Sequence, residues 1–151
     1  MTKYLLDTSV LSAFAPDKPA IPERFAMWFA DLSDAVHVSA VSFVEIEQGL
    51  RKLRRAGGEV RADRLSEWLD HLGGRYRDRI VPVDLAVSRE AGRIGDAALA
   101  IGRHPGLADV LIAASADVRS LVVLTRNLRH FEPLGVPAVD PFAVDPFAVV
   151  A

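Results

Sequence analysis

The 151-residue chain contains no cysteine. That one absence excludes disulfide frameworks, Cys-ligated zinc, iron–sulfur clusters and thiol catalysis, and it fits a reducing cytoplasm. Long apolar runs are missing too. No stretch approaches the length that spans a bilayer, and Leu5-Leu6 is followed directly by Asp7, which leaves no signal-peptide core. Glycine loops of the G-x-G-x-x-G or Walker kind are absent, which disfavours nucleotide-cofactor folds. Charge of one sign is not in excess: 18 Lys+Arg stand against 20 Asp+Glu, a net of −2. A uniformly basic coat for nucleic acid is thereby excluded, as is a surface that adheres to anionic membranes. A nucleic-acid substrate is not excluded, because a total does not locate the charges.

What remains is a globular composition, half hydrophobic and one quarter charged. The length suits one domain with a real core. Its charges are unevenly spread. Residues 1–50 carry 3 basic and 7 acidic side chains, residues 51–79 carry 9 and 5, and residues 80–151 carry 6 and 8. A +4 segment therefore sits between two acidic arms. It reads as a solvated helical hairpin or as a phosphate-binding face.

Apolar periodicity predicts alternating strands and helices. Strand candidates are Lys3–Leu6, Val36–Ser39, Ile80–Val83, Leu121–Thr125 and Val136–Val139. Pro22 is expected to open a helix carrying Phe25, Trp28, Phe29 and Leu32. A second helix is expected from Ser42 to the Gly57-Gly58 break, and a third, carrying Leu65, Trp68, Leu69 and Leu72, should stop at Gly73-Gly74. Val87, Ala91, Ile94, Ala98 and Ile101 mark a fourth, and Leu107–Val118 a nearly all-apolar fifth. This order predicts an α/β fold, a three-layer α/β/α sandwich around a mostly parallel sheet. The only internal repeat is Asp140-Pro141-Phe142-Ala143-Val144 copied as Asp145–Val149. The expected division is a domain over 1–142 and a tail over 143–151.

Three acids stand among apolar neighbours. Asp7 closes the first strand, Glu45 lies near the start of a helix, and Asp109 opens another. In a parallel sheet, residues just past the strand C-termini, and the helices that follow them, gather at the edge where ligands bind. Each acid also has an ordinary explanation. Asp7 could cap a turn, Ser42-Phe43-Val44-Glu45 fits a capping box, and Asp109 complements a helix dipole. Together, three converging carboxylates repel one another unless a cation is present. Oxygen ligands without Cys or suitably spaced His suit Mg²⁺ or Mn²⁺. Such a site supports metal-assisted attack of water on a phosphodiester.

Leu5–Ser12, Ser39–Gly49 around Glu45, Asp109–Ala114 and Leu124–Glu132 fall in the order and spacing of PIN-domain ribonucleases. The chain most resembles VapC-type toxins of prokaryotic toxin–antitoxin pairs, from about Lys3 to Phe142. The resemblance implies a cytoplasmic, Mg²⁺-dependent endoribonuclease acting on structured RNA such as tRNA or rRNA. It also implies a homodimer and a cognate VapB-type antitoxin. Asp7, Glu45 and Asp109 match the family's acidic triad, with Asp7 and Asp109 as direct metal ligands and Glu45 binding directly or through water. The fourth site position is Asn127 where many members have Asp, and three residues on stands His130 where many have another Asp. An amide can bind water or metal but cannot act as a base at neutral pH. Thr125 could hydrogen-bond Asp7 or a metal-bound water, and Arg126 and Arg129 could hold RNA phosphates. His37, His71 and His104 read as surface residues. Trp28 and Trp68 read as core or dimer contacts.

Two rivals follow. An aspartyl-nucleophile phosphatase would need an acid where Ser9 stands. A catalytically degenerate PIN domain, binding RNA or protein without cutting, draws on Asn127 and His130.

Overall fold

Three consecutive residues, Tyr4, Leu5 and Leu6, are wholly buried and form the first strand, β1 (Tyr4–Leu6). A strand buried on both faces must be covered by helices on both sides. The computed structural model describes residues 1–143. It contains β1, α1 (Thr8–Leu11), α2 (Glu23–Asp31), β2 (Val36–Ser39), α3 (Ala40–Arg55), α4 (Glu59–Arg75), β3 (Ile80–Val81), α5 (Leu85–Ala100), α6 (Leu107–Arg119), β4 (Val122–Leu124), α7 (Leu128–Phe131) and β5 (Ala138–Val139). The sheet order is β3-β2-β1-β4-β5, and every pairing is parallel.

Alternation along the strands divides the core. Leu5 and Val123 face one layer, with Val87, Ala91, Ile94 and Ala98 of α5 and the apolar run of α6. Tyr4, Leu6, Val36, Val38 and Leu124 face the other, against α2, α3 and α4. In that layer Trp28 meets Tyr4 edge-on at 5.5 Å between ring centroids, and Phe25 meets Phe142 at 4.6 Å. The first copy of the pentapeptide repeat thus supplies a partly buried aromatic that packs against the core. The second copy lies outside the described residues.

Several boundaries differ from those predicted. The glycine pair Gly73-Gly74 does not stop α4, which continues to Arg75. Burial of Leu69 and Leu72 outweighs the roughly 1 kcal/mol that each glycine costs a helix. Helix α3 begins at Ala40 and not at Ser42, because the buried Ser39 hydroxyl caps it by accepting from the Val41 N–H at 3.1 Å. Strand β3 is two residues long because Pro82 has no N–H to continue the ladder. The basic segment folds as the hairpin of α3 and α4, turned at Gly57 with φ +91°. Arg51, Arg54 and Arg64 there pair with Glu47, Asp63 and Asp17 on the surface. Among the described residues, no helix is long and apolar enough to cross a membrane.

Candidate active site

Asp7 directly follows β1, the central strand. Its N–H donates to the Leu124 carbonyl at 2.9 Å, so the β1–β4 ladder runs up to the acid itself. It precedes α1, but its side chain does not cap that helix. The residue is 4 % exposed. Two hydroxyls hold its carboxylate: Ser9 Oγ and Thr125 Oγ1 each donate to Oδ2 at 2.8 Å. Both hydroxyl oxygens in turn accept backbone N–H groups, Ser9 from Arg126 at 3.1 Å and Thr125 from Asn127 at 3.0 Å. A hydroxyl has one proton to give. The 3.5 Å approach of Ser9 Oγ to Thr125 Oγ1 is therefore a contact between two donors already committed to Asp7. The other oxygen, Oδ1, receives no hydrogen bond among the described residues.

Glu45 lies in the second turn of α3, past the position a capping box would require. Its Oε1 accepts from Thr8 Oγ1 at 2.7 Å, and Thr8 Oγ1 lies 2.8 Å from the buried Ser42 hydroxyl. With the Thr8 proton directed to Glu45, Ser42 is the donor to Thr8. Thr8 thus joins the Glu45 branch to the residue beside Asp7.

Asp109 sits half-buried in the first turn of α6. Its route differs from the predicted one: α6 follows helix α5, not a strand. Burial raises the Asp109 pKa, and the charge of Asp7 raises it further. His130 opposes both, with Nδ1 3.2 Å from Asp109 Oδ2. Sequence pattern does not predict that pairing. Its only trace there is the position of His130 three residues after Asn127.

Asn127 follows β4 at the start of α7. Its side chain is exposed and caps nothing. Arg126 and Arg129 are exposed as well. The Arg126 guanidinium lies over the Phe142 ring at 5.1 Å, so its stem is anchored on the aromatic cluster. Trp28 is core, whereas Trp68 is half-buried beside a cleft that also contains Thr8 and Glu45. His71 and His104 are exposed as expected. His37 is not a surface residue: it is half-buried on β2, its Nδ1 is inaccessible, and burial lowers its pKa.

Among the described residues, no three Asp, Glu or His side chains form a set that could hold a metal ion by themselves. Asp7 and Asp109 are nevertheless close enough for one charge to disturb the other's ionisation. Mg²⁺ commonly takes one or two carboxylates, keeps several waters and shares a substrate phosphate. The free Oδ1 of Asp7 and the carboxylate of Asp109 suit that kind of binding. A closed cage of three acids is not what the side chains make.

A parallel sheet in this order, with acids placed beyond its central strand and at the start of α6, is the architecture of a PIN domain. The chain matches the PIN domain over residues 4–134 and belongs to that family, in its VapC-type toxin branch. It is 31% identical over 140 residues to Toxin FitB of Neisseria gonorrhoeae, covering 91% of this chain and 97% of that one. It is also 31% identical over 144 residues to VapC ribonuclease Y4jK of Sinorhizobium fredii, covering 91% and 96%. A chain in the crystal structure of FitAcB from Neisseria gonorrhoeae overlays with a TM-score of 0.79 at 30% identity, covering 93% and 99%. DNA-bound VapBC from Salmonella typhimurium gives 0.77 at 25% identity, covering 92% and 98%.

Proposed function

We propose that the protein is a Mg²⁺-dependent endoribonuclease, the toxin of a toxin–antitoxin pair, cutting structured RNA such as tRNA or rRNA. The observation that carries this reading is the Asp7 carboxylate. It is buried at the end of the central strand, fixed through Oδ2 by two hydroxyls and unbonded at Oδ1 among the described residues, and its charge raises the pKa of Asp109. The relatives named toxin and ribonuclease support it.

Bound Mg²⁺ would lower the pKa of a water and offset charge developing on the scissile phosphate. Asp7 and Asp109 would hold it. The Ser9 and Thr125 hydroxyls keep Asp7 in one orientation, as partners behind metal ligands generally do. Glu45, steadied by Thr8, would orient the attacking water. Asn127 would place a water or the substrate through its amide. Arg126 and Arg129 would meet backbone phosphates.

The partner in this reading is a VapB-type antitoxin, supported by the VapBC complex among the similar structures. A homodimer would cover Leu99, Ile101 and Leu107, large apolar side chains left exposed at the α5–α6 turn. Light scattering at twice the 16.4 kDa chain mass is expected.

Purified, antitoxin-free protein should cut total RNA into discrete fragments with Mg²⁺, and neither in EDTA nor as Asp7→Asn. Equal cutting by Asp7→Asn would refute the site. A second reading, a non-cutting binding module, is favoured by the pairing of His130 with Asp109 and by Asn127 in place of an acid. Tight RNA binding without cleavage at any Mg²⁺ concentration would select it. In cells, expression should arrest growth and co-expression of the neighbouring small gene should relieve the arrest. Growth indifferent to both would overturn the toxin reading.

A further inference from the structure

Asp109 also lines a cavity of about 250 Å³ whose other walls include Arg103, His104, Gly106, Arg129 and His130. The charge balance there is the reverse of that at Asp7. Two guanidiniums and two imidazoles surround a single carboxylate, which His130 already contacts at 3.2 Å. The side chains of Arg103, His104 and Arg129 have no ion pair or hydrogen-bond partner among the described residues. Three unpaired donors line one cavity, together with Pro105 and Pro133, and arginine's fork matches phosphate oxygens.

The backbone holds this cavity in shape. Helix α5 ends with Gly102 at φ +76°, the Gly102 N–H on the Leu99 carbonyl and the Arg103 N–H on the Ala98 carbonyl, both at 2.9 Å. That pair of bonds is a Schellman motif, and it fixes the point from which Arg103 projects. Gly106 then starts α6 with no side-chain cap, so the first N–H groups of a thirteen-residue helix lack a side-chain acceptor. These features come from two separate segments, the α5–α6 turn and α7, and they meet at Asp109.

We propose that this cavity binds a backbone phosphate of the RNA strand next to the one cut at Asp7 and Asp109. Arg103 and Arg129 clamp the phosphate from opposite segments and His104 donates a hydrogen bond. The proposal rests on the ribonuclease reading and adds Arg103 and His104 to it as substrate-binding residues. The anion is assigned to RNA because the cavity shares Asp109 with the candidate active site.

The test uses full-length protein carrying Asp7→Asn, so that RNA is bound and not cut. The probe is a fluorescein-labelled single-stranded RNA oligonucleotide of mixed sequence, followed by anisotropy over a range of salt. In that background Arg103→Ala, and Arg103→Ala with Arg129→Ala, should weaken binding. The plot of log affinity against log salt should become shallower by about 0.7 for each phosphate no longer neutralised. Arg89→Ala, an exposed arginine on α5, should match the parent in both respects, and unfolding curves of all variants should coincide. Affinity and slope unchanged in the double variant, with the parent binding RNA, would overturn the cavity assignment and leave the ribonuclease reading standing. A parent that binds no RNA at low salt would overturn both. A poly-glutamate peptide held by the parent but not by Arg103→Ala, while RNA binding is untouched, would reassign the cavity to an acidic protein segment.

Discussion

Two hydroxyls decide where the Asp7 carboxylate points, and this can be tested without touching an acid. Thr125→Val keeps the side-chain shape and removes the proton that Oδ2 accepts. The Mg²⁺ concentration for half-maximal cleavage should rise about 10–100-fold, the usual cost of losing a partner behind a metal ligand. Thr125→Ser should restore most of it. An unchanged Mg²⁺ profile for Thr125→Val would show that Ser9 alone orients the acid. The acids were legible in the sequence because a carboxylate amid Leu5-Leu6 or Val110-Leu111 is conspicuous. The pairings were less so. Thr125 with Asp7 could be suggested from order along the chain. The bonds from Thr8 to Glu45 and from His130 to Asp109 depend on side-chain direction within four-residue helices, which periodicity does not encode.

At the level of elements, the glycines separate into two kinds. Gly74 lies inside α4 with open space where a Cβ would go and no positive φ. Gly74→Ala should therefore stabilise the protein by about 0.5–1 kcal/mol, a rise in melting temperature of roughly 1–4 °C at this size. Gly102 also has open space, but its φ is +76°. Gly102→Ala should destabilise by about 1–2 kcal/mol. Calorimetry of the two variants checks both, and a stabilising Gly102→Ala would contradict the backbone argument. The sequence shows the same symbol in both places. It predicted a helix stop at Gly73-Gly74 because glycine's local preference is readable, whereas the burial of Leu69 and Leu72 that overrides it belongs to tertiary packing. Strand positions were legible for the complementary reason. Runs such as Val36–Ser39 and Leu121–Thr125 must be covered on both faces, and only a sheet between helix layers does that.

For the whole molecule, His37 couples the fold to pH. Burial lowers its pKa below the ordinary value of about 6.5, and nearby Lys3 and Arg79 act in the same direction. Between the folded and unfolded values only the unfolded chain takes the proton. The contribution to stability is thus complete above about pH 6.5 and is lost as pH falls towards the folded value. Urea midpoints should fall from about pH 7.5 to about pH 5.5, and His37→Gln should flatten that dependence. An identical slope in the variant would exclude His37 as its source.

The acid on the central strand also has a consequence for how the protein is made. Asp7 leaves the ribosome early, but one of the two hydroxyls that orient it belongs to Thr125, 118 residues later. The strand that takes the Asp7 N–H, β4, is equally late. At ordinary synthesis rates of about 5–20 residues per second, that interval is roughly 6–24 s. Throughout it the nascent chain carries Asp7 with Ser9 beside it but without Thr125 and β4. Under the ribonuclease reading, the site is completed, and the time for a restraining partner to bind begins, only when the chain is nearly finished.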